Sequence, residues 1–275
     1  MLKWIPDWVI YALALGTILY VVFLSPSQDA PPPPPEAIQQ EGAMLPPASV
    51  FDERVLVQVT KPKTGIGTAF AINENGQWLT ARHVVEGCDE VALLVAPDLY
   101  VKARKIAISE RYDLALVQTD SSPFPVALNT EPDLRVGTYG YHVGYPQGRP
   151  GEAASRLLSR SSLITSGLRD GTETVLAWAE TGRTKGLLGS LGGLSGGPVY
   201  DASGRVRGVI VAESPRRGRI YTASPETLHA FLTSQDVELI GERPRPFEPE
   251  NYGEEADFAR RNLQVVKVAC RVGDD

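Results

Sequence analysis

The chain has 275 residues, of which 43% are hydrophobic, and it carries a formal net charge of −6 at pH 7. This apolar fraction, with turn-forming residues spread through it, indicates a globular chain with a substantial core and excludes a largely disordered one. The acidic balance, without a cluster of Lys and Arg, excludes a nucleic-acid-binding role, and two cysteines are too few for a cysteine-rich scaffold or zinc site. We therefore expect no metal and no cofactor.

The N-terminus contains an uncharged, mostly apolar segment from Trp8 to Leu24. As a helix it would span about 26 Å, close to the ~30 Å hydrocarbon core of a bilayer. We predict that residues 1–24 form a single-pass anchor in the inner membrane. The alternative is a cleaved signal peptide, but Gln28 stands where its cleavage site needs a small residue. Because Lys3 precedes the segment and acidic residues follow it, the rest of the chain is expected to face the periplasm or the extracellular side.

Residues 25–48 are predicted to be a semi-rigid linker, because the proline run Pro31–Pro35 favours an extended polyproline II conformation. From residue 49 to residue 240, short alternating segments separated by Gly, Pro, Asn and Asp indicate a strand-rich domain. The absence of long amphipathic helices between these segments favours the all-β class over a parallel α/β fold. The strands are predicted at Arg54–Val59, Gly67–Ile72, Gln77–Thr80, Glu90–Val95, Tyr100–Ile106, Leu114–Gln118, Thr138–Val143, Arg156–Ile164, Val175–Glu180, Val199–Asp201, Arg207–Ala212 and Arg219–Thr222.

The last stretch, residues 241–275, begins rich in Pro and Glu and is predicted to be a tail that packs on the domain. It contains a short predicted helix, Glu255–Asn262, and a predicted strand, Val265–Cys270. Helical spacing is also present just before the tail, at Pro225–Leu232.

Two of the motifs in the strand-rich region offer an acid–base pair. Thr80-Ala-Arg-His83 places a histidine directly after a predicted strand, as suits a general base at the rim of a barrel. Tyr112-Asp113 places an acid directly before another strand, where it can be buried and orient an imidazole. Each residue alone is more often structural.

The segment Gly192–Val199 reads Gly-Gly-Leu-Ser-Gly-Gly-Pro-Val and offers Ser195 as a nucleophile. Glycine on both sides permits unusual dihedrals and close approach of a substrate. The N–H groups of Gly193 and Ser195 are candidates for an oxyanion hole, although a plain Gly-rich turn has the same composition. Taken together, the order His83, Asp113, Ser195 predicts a catalytic triad.

These motifs resemble those of the chymotrypsin-like (trypsin-fold) serine proteases, in the bacterial HtrA-type branch, over roughly residues 50–235. Gly144–Gly148 and Gly208–Val211 are weaker matches. The resemblance implies an all-β fold of two packed antiparallel six-stranded β-barrels. The active site would lie between them, with His83 and Asp113 on the first barrel and Ser195 on the second.

The resemblance also implies a substrate-binding set, consisting of Gly189, Val211, Ala212, Glu213 and Tyr221. Gly189 stands where a trypsin-like preference for Arg or Lys would need an acid. We therefore expect a small or medium apolar side chain at the substrate's P1 position. The acidic Glu213 in the same set does not fit this expectation.

The sequence departs from the family pattern at Leu194, where HtrA-type enzymes usually have Asn and digestive enzymes Asp. Activation by a new N-terminus that pairs with this acid is therefore not available. The residues after the protease-like region are too few for a PDZ domain. The loop of residues 182–192 is rich in Gly and Leu, and it stays open whether the oxyanion hole is preformed.

We therefore expect a membrane-anchored serine endopeptidase that cleaves proteins or peptides outside the cytoplasm. The alternative is a catalytically silent protein of this fold that binds peptides or partner proteins. We also expect a Cys88–Cys270 disulfide, because the export side of a bacterial membrane is oxidising and Val265–Cys270 can add to the first barrel as a strand. The alternative is that both thiols stay reduced.

Overall fold

The computed structural model describes residues 13, 15, 42–122, 124–239 and 243–273. The predicted anchor and most of the predicted linker lie outside these residues. Within them, no helix has the length and apolarity needed to cross a bilayer. The end of the predicted linker lies against the domain, since the Gly42 N–H donates to the Val136 carbonyl (2.6 Å) and Leu45 is buried.

Strands are the main secondary structure of the described chain. They are β1 (Glu53–Val59), β2 (Gly65–Ala71), β3 (Gln77–Thr80), β4 (Glu90–Ala96), β5 (Leu99–Lys102), β6 (Lys105–Ile108), β7 (Ala115–Gln118), β8 (Tyr139–Gly144), β9 (Gly151–Gly167), β10 (Gly171–Arg183), β11 (Pro198–Tyr200), β12 (Val206–Ser214), β13 (Arg219–Ala223) and β14 (Val265–Arg271). The helices are α1 (Arg82–Val85), α2 (Pro225–Ser234) and α3 (Tyr252–Arg261), with 3₁₀ turns at Pro146–Gly148 and Pro215–Arg217. The predicted all-β class is confirmed.

The first sheet has seven strands in the order β5-β4-β14-β2-β3-β7-β6. β5 runs into β6 through Ala103 and Arg104. The Ala103 N–H donates to Val91 of β4 (2.9 Å), and the Arg104 N–H donates to Gln118 of β7 (2.8 Å). β5 and β6 therefore behave as one bent strand that joins the two ends of the sheet, so that six strand positions close a barrel as predicted.

The second sheet also has seven strands, in the order β1-β9-β10-β13-β12-β11-β8, and β8 pairs in addition with β9. That pairing closes a ring of six antiparallel strands, and β1 adds to it outside. The ring agrees with the predicted antiparallel barrel, but the prediction did not include β1, which pairs parallel to β9 outside the ring. The physical reason is the length of β9: its residues 151–156 pair with β8, and residues 161–167 of the same strand pair with β1.

The C-terminal tail ties the two barrels together. β14 lies between β2 and β4, so the predicted tail strand is a central strand of the first sheet. Arg260 of α3 is buried and pairs with Glu152 of β9, with 2.6 Å between Nη2 and Oε2. The expected Cys88–Cys270 disulfide is present and links β14 to the segment after α1. The tail therefore positions the element that carries His83.

Candidate active site

His83 lies in α1, a single helical turn that starts as the chain leaves β3. Val84 and Val85 are buried beneath this turn, which leaves His83 facing the cleft with 45% of its side chain exposed. Its neighbour Arg82 pairs with Glu86 one turn later and donates to the Ser109 carbonyl (2.7 Å). α1 is therefore fixed from below by apolar packing and from the side by charged groups.

Asp113 holds the histidine at two points. Its Oδ1 accepts the His83 backbone N–H (2.9 Å), and its Oδ2 lies 2.6 Å from the ring Nδ1. The loop before Asp113 is shaped by Ser109, whose hydroxyl oxygen accepts the N–H of Tyr112 (3.0 Å). Because Nδ1 donates to the carboxylate, the other ring nitrogen, Nε2, is free to accept a proton.

The electrostatics of this pair favour the charged imidazole. Burial in the cleft disfavours a charge on His83. The negative charge and hydrogen bond of Asp113 outweigh this effect and raise the pKa of His83 above its ordinary value. Glu173 and Glu86 raise the same pKa further by their charges. An imidazole tuned in this way is a stronger base than a free histidine.

Glu173, on β10 of the second barrel, is a member of the site that sequence reasoning missed. Its Oε2 accepts the Asp113 backbone N–H (3.0 Å), across the boundary between the two barrels. Burial, followed by the negative charge of Asp113, raises the pKa of Glu173 to about 7. No local pattern marks this residue, because its position depends on how β10 packs against the loop that carries Asp113.

Ser195 lies in the turn between the loop of residues 184–193 and β11. Its carbonyl accepts the Thr68 N–H of β2 (2.9 Å). The following residue, Gly196, has a φ of +85°, and a side chain there would collide with the backbone of Thr68 and approach the Ala81 nitrogen at 2.9 Å. The nucleophile turn of the second barrel therefore presses against the end of β3, two residues before His83.

The oxyanion-hole candidates present free donors. In the part of the chain that the structure describes, neither the Gly193 N–H nor the Ser195 N–H donates to a protein acceptor. Gly193 has a φ of +98°, and a Cβ there would lie 2.6 Å from the Tyr145 carbonyl, so the position requires glycine. Two unpaired N–H groups, that of the serine itself and that of the residue two positions before it, are suited to bind a developing oxyanion.

Leu194, the departure from the family pattern, is 1% exposed and belongs to the core of the second barrel with Leu191 and Trp178. Its N–H donates to the Leu191 carbonyl (2.9 Å), and its own carbonyl accepts the Gly197 N–H (2.9 Å). The turn around Ser195 is thus anchored by apolar packing where an acid would need a charged partner.

Three members of the expected substrate-binding set, Val211, Ala212 and Glu213, line the same cleft as His83 and Asp113. The Glu213 carboxylate accepts the Ser190 hydroxyl and the Leu191 N–H (2.8 Å). Gly189 is exposed in the loop before Ser195. The side chain of Tyr221 is buried in β13, so it is separated from the cleft surface. In the described ranges, no His, Cys, Asp and Glu cluster has an arrangement that suits a metal ion.

Comparison with known protein families gives a match over residues 67–209 to the trypsin-like peptidase domain. This range is more than half of the chain and includes all three triad candidates. A protein of Pseudomonas fluorescens described as a probable periplasmic serine endoprotease DegP-like is 28% identical over 189 residues, which are 66% of this chain and 36% of that protein. A Rickettsia conorii protein of the same description is 29% identical over 161 residues, 57% of this chain and 30% of its own.

The chain therefore spans about a third of the length of these relatives. Among solved structures, the active form of the Rv3671c protease from M. tuberculosis superposes with a TM-score of 0.52 at 17% identity, over 76% of this chain and 98% of that one. The inactive form gives a TM-score of 0.50 at 22% identity, over 61% and 83%. At these identities the structural likeness establishes the chymotrypsin-like fold alone.

Proposed function

Because the chain belongs to the trypsin-like peptidase domain family, we propose that it is a serine endopeptidase whose triad is His83, Asp113 and Ser195. The observation that carries the proposal is the two-point hold of Asp113 on His83. It is supported by the contact of the Ser195–Gly196 turn with Thr68 and Ala81, close to His83 along the chain. The expected substrates are proteins or peptides.

In the proposed reaction, His83 Nε2 takes the proton of Ser195 Oγ as this oxygen attacks the scissile carbonyl. Asp113 keeps the ring in the correct tautomer and stabilises the imidazolium. The N–H groups of Gly193 and Ser195 bind the oxyanion of the tetrahedral intermediate. His83 then donates its proton to the leaving amine, and water releases the acyl group by the same steps.

The test is turnover of a fluorogenic peptide library together with labelling by a fluorophosphonate probe, which reacts with activated serines. Wild-type protein is expected to react in both assays. Ser195→Ala should abolish labelling and lower turnover by roughly 10⁴- to 10⁶-fold without unfolding the protein, and His83→Ala should lower turnover similarly, because triad residues act as a unit.

Ser203→Ala is the matched control, since Ser203 is an exposed turn residue that, within the described ranges, bonds only to Asp201. It should behave as wild type. Folded wild-type protein that neither labels nor cleaves would refute the enzyme and favour a peptide-binding protein of this fold. Turnover that survives Ser195→Ala would refute the triad.

The proposal includes a location, with residues 1–24 as a membrane anchor and the catalytic domain outside the cytoplasm. The apolar segment Trp8–Leu24, the disulfide and the periplasmic descriptions of the relatives support it. The native protein should resist extraction from membranes by alkaline carbonate and keep its original N-terminus. Release by carbonate, or an N-terminus that begins after Leu24, would contradict the anchor.

A further inference from the structure

The turn Tyr145–Gly148, which follows β8, lies directly behind the loop of residues 184–193. Within this turn Gln147 has a φ of 53°, in the left-handed region where residues other than Gly are uncommon. Its side chain is exposed, so burial does not explain this conformation. Backbone strain of this kind persists where surrounding contacts hold it.

Those contacts are three hydrogen bonds from Gln147 to the loop. Its backbone N–H donates to the Gly192 carbonyl (2.6 Å), and its side-chain Nε2 donates to the carbonyls of Leu188 (2.7 Å) and Ser190 (2.8 Å). One residue therefore binds three carbonyls of the segment that leads to Ser195. We call these three bonds the Gln147 clamp.

The clamp sets the direction of an oxyanion-hole donor. In a trans peptide the C=O and the next N–H point in opposite directions. Because the Gly192 carbonyl is held toward the Tyr145–Gly148 turn, the Gly193 N–H points away from that turn, to the opposite side of the loop. The Gly193 carbonyl is held in its place by the Thr68 hydroxyl (2.8 Å), which fixes the next peptide plane as well.

Apart from the buried Leu191 and the partly buried Leu187, the loop has few apolar contacts that keep it in this conformation. Leu188 is 81% exposed, and a Cβ added at Gly186 or Gly189 would meet no atom within 4 Å. Other polar supports come from Glu213, which binds Ser190 and Leu191, and from Arg183, whose Nη1 donates to the Gly189 carbonyl (2.8 Å). Within the loop, the Leu187 N–H donates to the Thr184 carbonyl (3.1 Å). Among the described residues, the clamp alone binds the Gly192 carbonyl, which shares a peptide plane with the Gly193 N–H, while the Gly192 N–H donates to the Ser190 hydroxyl (2.9 Å).

We propose that Gln147 is a positioning residue that keeps the oxyanion hole preformed. The inference rests on the proposed protease function and deepens it. A preformed hole needs neither a new N-terminus nor a bound partner to assemble it, and Leu194 cannot form the ion pair that the first of these requires. The domain is therefore constitutively competent for peptide cleavage.

The test compares Gln147→Glu with wild type. Glutamate has the same shape, but an ionised carboxylate cannot donate to carbonyl oxygens. Peptide hydrolysis at pH 8 should lose about 10- to 100-fold in kcat with KM nearly unchanged, because a misdirected donor weakens the transition state and leaves ground-state binding intact. Inhibition by a peptide boronate, which forms a tetrahedral adduct on the serine, should weaken by a similar factor.

Gln147→Gly separates the two parts of the clamp, since it keeps the backbone N–H and the positive φ but removes the side-chain amide. Its loss in kcat should be smaller than that of Gln147→Glu. Gln235→Glu is the matched control, because Gln235 is a half-buried glutamine far along the chain from the loop, and among the described residues its side chain bonds only to Ser234 at the end of α2. This variant should keep wild-type kcat.

Hydrogen–deuterium exchange supplies a readout that does not depend on activity. Amides of residues 186–193 should exchange faster in Gln147→Glu, while those of β8 and β11 stay as in wild type. Unchanged exchange, or a kcat within twofold of wild type, would overturn the proposal. Peptide affinity can be measured in the inactive Ser195→Ala protein with and without Gln147→Glu. If Gln147→Glu lowers this affinity by the same factor as kcat, the proposal is also overturned. If the wild type has no activity, the proposed function fails, and exchange still decides whether the clamp holds the loop.

Discussion

The two halves of the candidate active site are held in place by different forces. The base half, residues 82–86 and 109–113, is fixed by charged groups: Asp113 holds His83, Arg82 pairs with Glu86, and Glu173 accepts the Asp113 N–H. The nucleophile half, residues 192–197, is fixed by backbone hydrogen bonds and by the buried side chain of Leu194.

Because of this difference, we expect the two halves of the site to respond to different changes. Charged groups with shifted pKa values make the base half sensitive to pH, whereas apolar packing and neutral hydrogen bonds make the nucleophile half sensitive to shape. Changes of side-chain volume should therefore damage the nucleophile half most, and changes of charge should retune the base half without unfolding it.

The largest effect is expected from Leu194→Asp, which restores the acid of the digestive enzymes. The structure places this side chain in an apolar core, so the new carboxylate would be buried without a partner. We expect the free energy of unfolding to fall by about 3–5 kcal/mol, as for other unpaired buried charges. Urea denaturation followed by tryptophan fluorescence measures it, since Trp178 is in the same core.

Leu194→Ala should lose about 2–5 kcal/mol through the cavity alone. Leu188→Ala is the control in the same loop, and because Leu188 is 81% exposed it should change stability by less than about 0.5 kcal/mol. A Leu194→Asp protein as stable as wild type would show that a cation reaches this position, and the contrast between the two halves would be lost.

An intermediate effect is expected from removing the disulfide, the covalent support of the base half. Cys88 lies three residues after α1, and the bond closes a loop over a sequence separation of 182. Replacing both cysteines by serine should lower the free energy of unfolding by about 2–4 kcal/mol, within the ~5 kcal/mol that chain entropy gives for so long a loop.

Dithiothreitol supplies the matched control for this pair. It should lower the thermal midpoint of the wild type to that of the Cys88→Ser, Cys270→Ser variant and leave the variant unchanged. Two free thiols in denatured, unreduced wild type would contradict the bond. Equal midpoints before and after reduction would show that the α3–β14 tail is held without it.

Residues whose role depends on local pattern were predictable from the sequence. His83 and Asp113 each adjoin a short apolar strand, and the Cys88–Cys270 pairing followed from having two cysteines on a chain that the sequence predicts to be exported. Glu173 and Gln147 were not predictable, because their partners are 60 and at least 41 residues away and are chosen by tertiary packing, between the barrels for Glu173 and within the second barrel for Gln147. The parallel placement of β1 was hidden for the same reason, since strand alternation indicates which face is buried and not which strand is the neighbour.

The smallest effect is expected from Glu173→Gln, a change of charge at constant shape. The amide oxygen can still accept the Asp113 N–H, so the geometry of the base half should persist. The groups that face His83 are Asp113, Glu173 and Glu86, and each raises the pKa of the imidazole. Removing one negative charge should therefore lower the pKa of His83.

A general base acts in its neutral form, so a lower pKa moves the acidic limb of the kcat/KM profile to lower pH. The gain is limited, because the pKa of Glu173 is about 7 and its carboxyl is already partly protonated on this limb. We expect activity at pH 6, relative to pH 8, to rise by a factor of about two to three. Glu110→Gln is the control, since Glu110 is an exposed residue of the same cleft whose charge is not among those that raise the pKa of His83.

The pH dependence of the free energy of unfolding gives an independent check of the charge on Glu173. A carboxyl whose pKa is raised on folding makes the native state bind an extra proton between its unfolded pKa, near 4.5, and about 7. The stability that this group gives the wild type is therefore lost as the pH rises through that window. Glu173→Gln lacks this loss, so the free energy of unfolding of the variant minus that of the wild type should be larger at pH 8 than at pH 5. A variant whose pH–rate profile and pH–stability difference both match those of Glu110→Gln would show that Glu173 is solvated, and that Asp113 alone tunes the histidine.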